Sequence, residues 1–296
     1  MPRSTEVPLP AGATAVSALR WAGRRLTGFV DSPSVDAEVL LLSVLGGTRA
    51  RLYAAGDLVL TSVVAGQFVS LVERRGAGEP LQYLTGRQVF RGLDLQVGPG
   101  VLVPRPETEV VVERALALIA AVPSPVVVDV GTGSGAIALA IAAERPSAAV
   151  WATEVSGAAL AWAGRNAAGL GLERVAFVEG DLLSGLPRAL QGTVDLVVAN
   201  PPYLPQALVE SAAADVRDHE PRVALVSGPT GLEVPSRLIA SAWAWLRPGG
   251  WLVMETWPGQ AEDLVALLGD AYGEVAARPD LAGSLRMVEG RRPVRS

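Results

Sequence analysis

The run Val126-Val-Val-Asp-Val-Gly-Thr-Gly-Ser-Gly135 constrains this chain more than any other stretch. A short apolar segment leads directly into a glycine-rich turn, and the Ala-rich segment that follows reads as a helix. Gly131, Gly133 and Gly135 permit a tight turn and a close approach of ligand to backbone, with Thr132 and Ser134 between them. The helix N-terminus behind the turn offers free amide donors. Taken alone, the loop reads more readily as a ligand-free strand-to-helix turn than as a nucleotide-type site.

Strand-like and helical runs alternate from Pro106 onward. The spacing predicts strands at Val126–Val130, Ala149–Thr153, Val175–Val178, Val194–Ala199 and Trp251–Glu255. Helices are expected at Gly135–Glu144, Ser156–Gly169 and Leu232–Leu246. Short, continuously apolar strands separated by helices indicate an α/β fold, with a parallel sheet covered on both faces. Gly273–Ala276 and Ser284–Val288 are expected to add an antiparallel pair at one edge.

The N-terminal region has a different period. Val16, Leu19, Ala22, Leu26 and Phe29 recur at helical spacing. Ser32–Pro33 resembles an N-cap with Pro at the first helical position, and Gly46–Gly47 closes that segment. A third amphipathic helix, with Val64, Phe68, Leu71 and Val72 on one face, is expected from about Thr61 to Arg75. Between Thr85 and Pro104 the period becomes two, and Val89–Phe90, Arg91–Gly92 and Leu93–Val97 suggest a hairpin. The expected organisation is a helical domain over residues 1–84, a hairpin linker over 85–104 and an α/β domain over 105–296.

Composition removes whole classes of chemistry. The sequence has no Cys, which excludes disulfides, thiol catalysis and cysteine-ligated metal. All 25 basic residues are Arg, so Schiff-base chemistry and a phosphate-loop lysine are absent. His219 is the only histidine, and it is read as structural rather than as a base. The net charge of −5 argues against a protein held stably on nucleic acid. Charge-free stretches such as Ala115–Val128 fall short of the ~20 residues a bilayer requires. The start of the chain, with Pro2, Arg3 and Glu6, lacks the apolar core of a signal peptide, so a cytoplasmic location is expected.

Two strand ends strengthen the ligand reading. Glu154 closes the strand after the glycine loop, where a carboxylate holds a ribose diol in adenosine-containing cofactors. The next strand ends in Glu179-Gly-Asp181-Leu182, an acid and an apolar residue suited to the edge and face of adenine. These features do not separate a dinucleotide from S-adenosylmethionine.

The element that separates them is Asn200-Pro201-Pro202-Tyr203, directly after a fourth apolar strand. The prolines stop strand pairing at Asn200. The Asn200 side chain and the Pro201 carbonyl supply two neutral acceptors on stiff backbone beside an aromatic ring. A planar NH₂ group fits that arrangement, each N–H meeting an acceptor while the flat group stacks on Tyr203.

Glycine loop, strand-end Glu and Asn-Pro-Pro-Tyr, in this order, resemble the S-adenosylmethionine-dependent methyltransferases that act on planar nitrogens. Glu79-Pro-Leu-Gln-Tyr-Leu-Thr-Gly86, Leu102-Val-Pro-Arg-Pro-Glu-Thr-Glu109 and Glu220-Pro-Arg-Val-Ala-Leu225 are similar to elements of the N5-glutamine methyltransferases that modify peptide chain release factors. The resemblance spans nearly the whole chain. It implies a class I methyltransferase (Rossmann-like) fold with a seven-stranded, mostly parallel sheet behind a small helical domain. It further implies S-adenosylmethionine at Gly131–Gly135, Glu154, Asp181, Leu182 and Asn200, and the glutamine at Asn200, Pro201, Pro202 and Tyr203. Asn200 and Pro201 then carry the catalytic contacts. Leu182 stands where some relatives have an aromatic residue. The Pro104–Thr108 element would border the cofactor, although Glu107 and Thr108 read equally well as a helix cap.

Release factors are the expected partners of a monomeric enzyme that needs no metal. The alternatives are a ribosomal-protein glutamine methyltransferase, a nucleic-acid adenine-N6 methyltransferase and, from another class, an NAD-dependent oxidoreductase. The oxidoreductase leaves Asn-Pro-Pro-Tyr unexplained.

Overall fold

The computed structural model describes residues 8–54 and 56–294; Pro2, Arg3 and Glu6 lie outside the described residues. The chain forms two units, one running through Gly86 and including Ala214–His219, the other made of Arg87–Ala213 and the segment from Glu220 onward.

The first unit is helical, with Ala15–Leu26, Pro33–Leu45, Arg49–Ala54, Ser62–Gly76 and Leu81–Thr85. Thr14 and Thr61 start two of these helices by accepting from the amides of Ser17 and Val64, which satisfies donors that the first turn leaves free. Small and large apolar residues interlock in the core: Ala18, Ala22, Leu26, Leu40, Leu41, Phe68 and Val72 are all buried. Phe29 departs from the expected pattern. The first helix ends at Leu26, and Phe29 lies beyond it, 69% exposed. Pro33 opens the second helix as expected, but the Ser32 side chain makes no cap hydrogen bond. Asp36 and Arg75 pair at 2.7 Å inside this unit, and Arg75 also lies 3.7 Å from Asp215 on the Ala214–His219 helix. His219 is the last residue of that helix.

The second unit begins with a hairpin, β1 (Arg87–Phe90) and β2 (Leu93–Gln96). Phe90 and Leu95, from the segment read as a linker, are buried in the same core as Val127 and Ile141. The main sheet contains β3 (Val126–Val130), β4 (Ala149–Glu154), β5 (Ala176–Glu179), β6 (Val194–Ala199), β7 (Leu246–Glu255), β8 (Gly273–Pro279) and β9 (Leu285–Arg291). Its order is β5-β4-β3-β6-β7-β9-β8. Strands β3 to β7 pair in parallel, while β9 runs antiparallel to both β7 and β8.

The apolar strands follow from burial on two sides. Val127 belongs to one core cluster, whereas Val128 and Val130 belong to the other, as alternation along a strand covered on both faces requires. From β3 the connection passes to β4 on one side and the chain later returns to β6 on the other, so the strand order reverses between β3 and β6. Open α/β sheets bind ligands at the carboxyl ends of strands around such a switch point. Among the described residues no helix is long and apolar enough to cross a membrane.

Candidate active site

A cavity of about 420 Å³ opens at the carboxyl ends of β3, β4 and β6, within the size range of small-molecule sites. Its lining includes Gly131, Thr132, Gly133, Ser134, Glu154, Asp181, Leu182, Asn200, Pro201 and Pro202. Pro104 and Thr108 line it too, so the Pro104–Thr108 element borders the cavity. Gly135 and Tyr203 are not among the lining residues.

The glycine loop is built by backbone geometry. Gly131, Gly133 and Gly135 have φ values of 72°, 57° and 86°, a region that costs an L-residue roughly 1–2 kcal/mol. The amides of Gly131 and Thr132 both donate to the Thr153 carbonyl, at 2.9 and 3.0 Å, tying the loop to β4. A side chain at Gly135 would put its Cβ 2.9 Å from Leu139 Cδ1. Beneath the loop, Asp129 Oδ2 accepts from Thr132 Oγ1 at 2.6 Å and from the Ala138 amide at 3.1 Å. Its Oδ1 is buried with no partner. Burial pushes the Asp129 carboxyl up to about 7, and nearby Glu154 adds to the shift.

Glu154 is held as a preset acceptor. Its Oε2 accepts from the Gly133 amide and its Oε1 from the Ser156 amide, both at 2.9 Å. Each oxygen retains a lone pair for a further donor, and the side chain faces the cavity.

Asn200 sits at the end of a hydrogen-bonded chain. Its Nδ2 donates to Thr108 Oγ1 at 3.1 Å. Thr108 Oγ1 donates in turn to Glu255 Oε2 at 2.6 Å. The other carboxylate oxygen, Glu255 Oε1, accepts from the Tyr203 hydroxyl at 3.0 Å. Glu255 is 1% exposed. Burial pushes its carboxyl above the ordinary carboxylate range against the pull of the two hydroxyls. The Tyr203 hydroxyl is likewise pushed well above its ordinary value, by burial and by the charge of Glu255. The phenol therefore serves as a hydrogen-bond donor, not as a base.

A family model described as "PrmC N-terminal domain" matches residues 17–86, and one described as "Methyltransferase small domain" matches residues 112–217. A release factor glutamine methyltransferase of Moorella thermoacetica is 46% identical over 271 residues, covering 90% of this chain and 94% of that protein.

The chain belongs to the release factor glutamine methyltransferase family.

Another relative of the same name, from Deinococcus radiodurans, is 44% identical over 275 residues, covering 93% of this chain and 97% of its own. The fold is shared more widely. The 16S rRNA N2 G1207 methyltransferase of T. thermophilus, solved with AdoMet and guanosine, superposes with a TM-score of 0.52 at 20% identity, over 70% of this chain and 49% of that one.

In this release factor glutamine methyltransferase family member, the outer end of the cavity differs from a simple reading of the sequence. Asp181 lines the cavity but is ion-paired to Arg237. Leu182 adopts φ 53°, in the left-handed region, where a bulky residue is seldom found without a local constraint. Arg105 pairs with Glu220, whose other oxygen accepts from the Val103 amide at 3.1 Å. That contact fixes the loop segment leading to Pro104.

Sequence reasoning did not single out Glu255, Asp129 or Arg237 for the site. Glu255 carried one usable signal, since it ends an apolar strand as Glu154 does. Asp129 had none, because it reads as an interruption inside a strand.

Proposed function

We propose that this protein transfers a methyl group from S-adenosylmethionine to the side-chain amide nitrogen (N5) of the glutamine in the Gly-Gly-Gln motif of peptide chain release factors. One observation carries the reading. Asn200 commits one N–H of its NH₂ group to Thr108, which sets the amide's orientation and gives the cavity that Asn200 lines an acceptor in Oδ1.

The residues present fit the cofactor. Gly131 and Gly133, both in left-handed conformation, bring bare backbone to the cavity wall between Thr132 and Ser134, and Glu154 offers a carboxylate already oriented by two amides. S-adenosylmethionine supplies a methyl group on a positively charged sulfur, activated for displacement by nitrogen. Gly131, Thr132, Gly133, Ser134 and Gly135 are assigned to its amino-acid side, Glu154 to the ribose, and Asp181 and Leu182 to adenine.

An amide nitrogen is a poor nucleophile because its lone pair is shared with the carbonyl. Asn200 Oδ1 and the Pro201 carbonyl accept from the two substrate N–H groups, with Pro202 and Tyr203 completing the pocket. Acceptors placed there orient the nitrogen and stabilise the positive charge that grows on NH₂ as its new bond forms. Alignment of this kind supplies roughly 7–11 kcal/mol in well-oriented systems. The same acceptors take no proton at neutral pH, so loss of the proton falls to solvent after transfer. We further propose that the protein acts as a cytoplasmic monomer and forms no stable complex with nucleic acid, in keeping with its acidic balance.

Mass spectrometry tests the reading. The full chain is incubated with S-adenosylmethionine and, separately, with a release factor, its Gln→Ala motif variant, ribosomal proteins and adenine-containing DNA. Methylation of the release factor and not of the variant is expected. Transfer to DNA or to ribosomal proteins, with none to the release factor, would overturn the substrate assignment.

A further inference from the structure

The chain Glu255–Thr108–Asn200 has a direction. A threonine hydroxyl has one proton, and the Thr108 proton is given to the Glu255 carboxylate at 2.6 Å. Toward Asn200, at 3.1 Å, Thr108 Oγ1 therefore acts only as an acceptor. Of the two faces of the Asn200 amide, only NH₂ can meet it. The second Glu255 oxygen is occupied by the Tyr203 hydroxyl at 3.0 Å, so the carboxylate has no reason to rotate away from Thr108.

We propose that Thr108 and Glu255 are positioning residues for methyl transfer, which lock the Asn200 amide with Oδ1 toward the substrate. This inference rests on the proposed function, because it concerns which face Asn200 shows the substrate NH₂. An asparagine amide turned by half a revolution has nearly the same shape but presents a donor. A donor facing the reacting NH₂ cannot accept its protons, and it opposes the positive charge that develops there. Sequence pattern offers Thr108 the role of a helix cap, but Thr108 is the first residue of the helix Thr108–Leu118 and Glu107 holds the cap position. Its hydroxyl, however, makes no cap contact and is spent on this relay. The same carboxyl group holds Tyr203, so one buried side chain sets two of the groups around the substrate amide.

Thr108→Val keeps the volume and removes the hydroxyl. The Asn200 NH₂ then loses its acceptor whenever Oδ1 faces the substrate, and kcat for the release factor is expected to fall about tenfold, the order expected for a buried donor left unpaired. S-adenosylmethionine affinity should stay within about threefold, and Thr108→Ser should keep most of the activity, since it restores the hydroxyl. Where Val is not accommodated, Thr108→Ala deletes the same hydroxyl without bulk and should show the same loss.

A second measurement is independent of substrate. The sequence contains two asparagines, Asn166 and Asn200, so nitrogen-15 asparagine labelling gives two side-chain NH₂ signals. Asn166 donates to the Gln96 and Ser134 carbonyls, at 3.0 and 2.9 Å, and serves as the internal control. In Thr108→Val the Asn200 amide protons should exchange with water at least about tenfold faster, with the Asn166 pair unchanged. Full kcat in Thr108→Val, an equal loss in Thr108→Ser, or unchanged Asn200 exchange would overturn the relay. A wild-type enzyme that methylates no release factor would overturn the proposed function instead, while the exchange measurement still decides the relay.

Discussion

The Gly133 amide donates to Glu154 Oε2 at 2.9 Å, joining the glycine loop after β3 to the carboxyl end of β4. Loop and carboxylate are thus one device: the amide orients the acid, and the acid pins the loop. Replacing Glu154 with Ala removes the hydrogen bonds assigned to the ribose, each ~1.5–3 kcal/mol for a charged acceptor. Titration calorimetry should show S-adenosylmethionine affinity reduced at least tenfold, on the order of one such bond. An unchanged dissociation constant would remove Glu154 from the cofactor site.

Asn200→Ala deletes the acceptor assigned to the substrate amide and frees Thr108 Oγ1 of its donor. Both changes lie at the cavity edge, so the thermal midpoint should move little. Methyl transfer to the release factor should drop by about 100-fold or more, as loss of a group aimed at developing charge typically does. Mass spectrometry of the product checks it, and retained turnover would exclude Asn200 from the chemistry.

Asp129 makes stability depend on pH with an unusual sign. Its folded carboxyl, pushed up to about 7, holds a proton that the unfolded chain releases near its ordinary value of about 4. The contribution is complete below the unfolded value and is lost as pH rises toward the folded one. Unfolding free energy should therefore decline between pH ~4 and ~7, by up to about 1.4 kcal/mol per unit from this group. Denaturant titrations of wild type and Asp129→Asn across that range should differ in slope. Parallel curves would show that Asp129 is ionised throughout.

Gly231 tests how the backbone behind Tyr203 is held. It has φ +84°, and an added Cβ would lie 2.4 Å from the Tyr203 carbonyl oxygen and 2.4 Å from Gln260 Nε2. Gln260 Nε2 itself donates to that carbonyl at 3.0 Å. Gly231→Ala must therefore displace Tyr203 or break this contact, and both stability and kcat should fall. Gly192→Ala is the control, with φ +73° and nothing within 4 Å. It should cost only the roughly 1–2 kcal/mol of left-handed backbone and leave kcat intact. Equal activity in the two variants would refute the Tyr203 contact as the cause.

Periodicity and punctuation located most elements of the sheet. The expected Val126–Val130 and Val194–Ala199 strands match β3 and β6 residue for residue, because a strand buried on both faces must be apolar without interruption. The C-terminal antiparallel pair also forms at one edge, as β8 and β9. Phe29 misled because helical spacing continues past Leu26 in sequence, while the helix stops there. The five-residue helix Gln206–Glu210 is too short to show a period, whereas Ala261–Gly269 went unread although Ala261, Leu264, Val265 and Leu268 stand at helical spacing.

By itself the sequence determined the α/β class, the glycine loop, the acid at the end of β4 and the Asn-Pro-Pro-Tyr element. Each rests on local chemistry: which residues accept positive φ, stop a strand or interrupt an apolar run. Tertiary structure alone decided what those groups face. Thr108 reaches Asn200 across 92 positions and Glu255 across 147, and Asp181 meets Arg237 across 56. No local pattern encodes such pairs, because a hydrogen bond needs an approach of about 3 Å, and only the packed sheet brings the ends of its strands that close together.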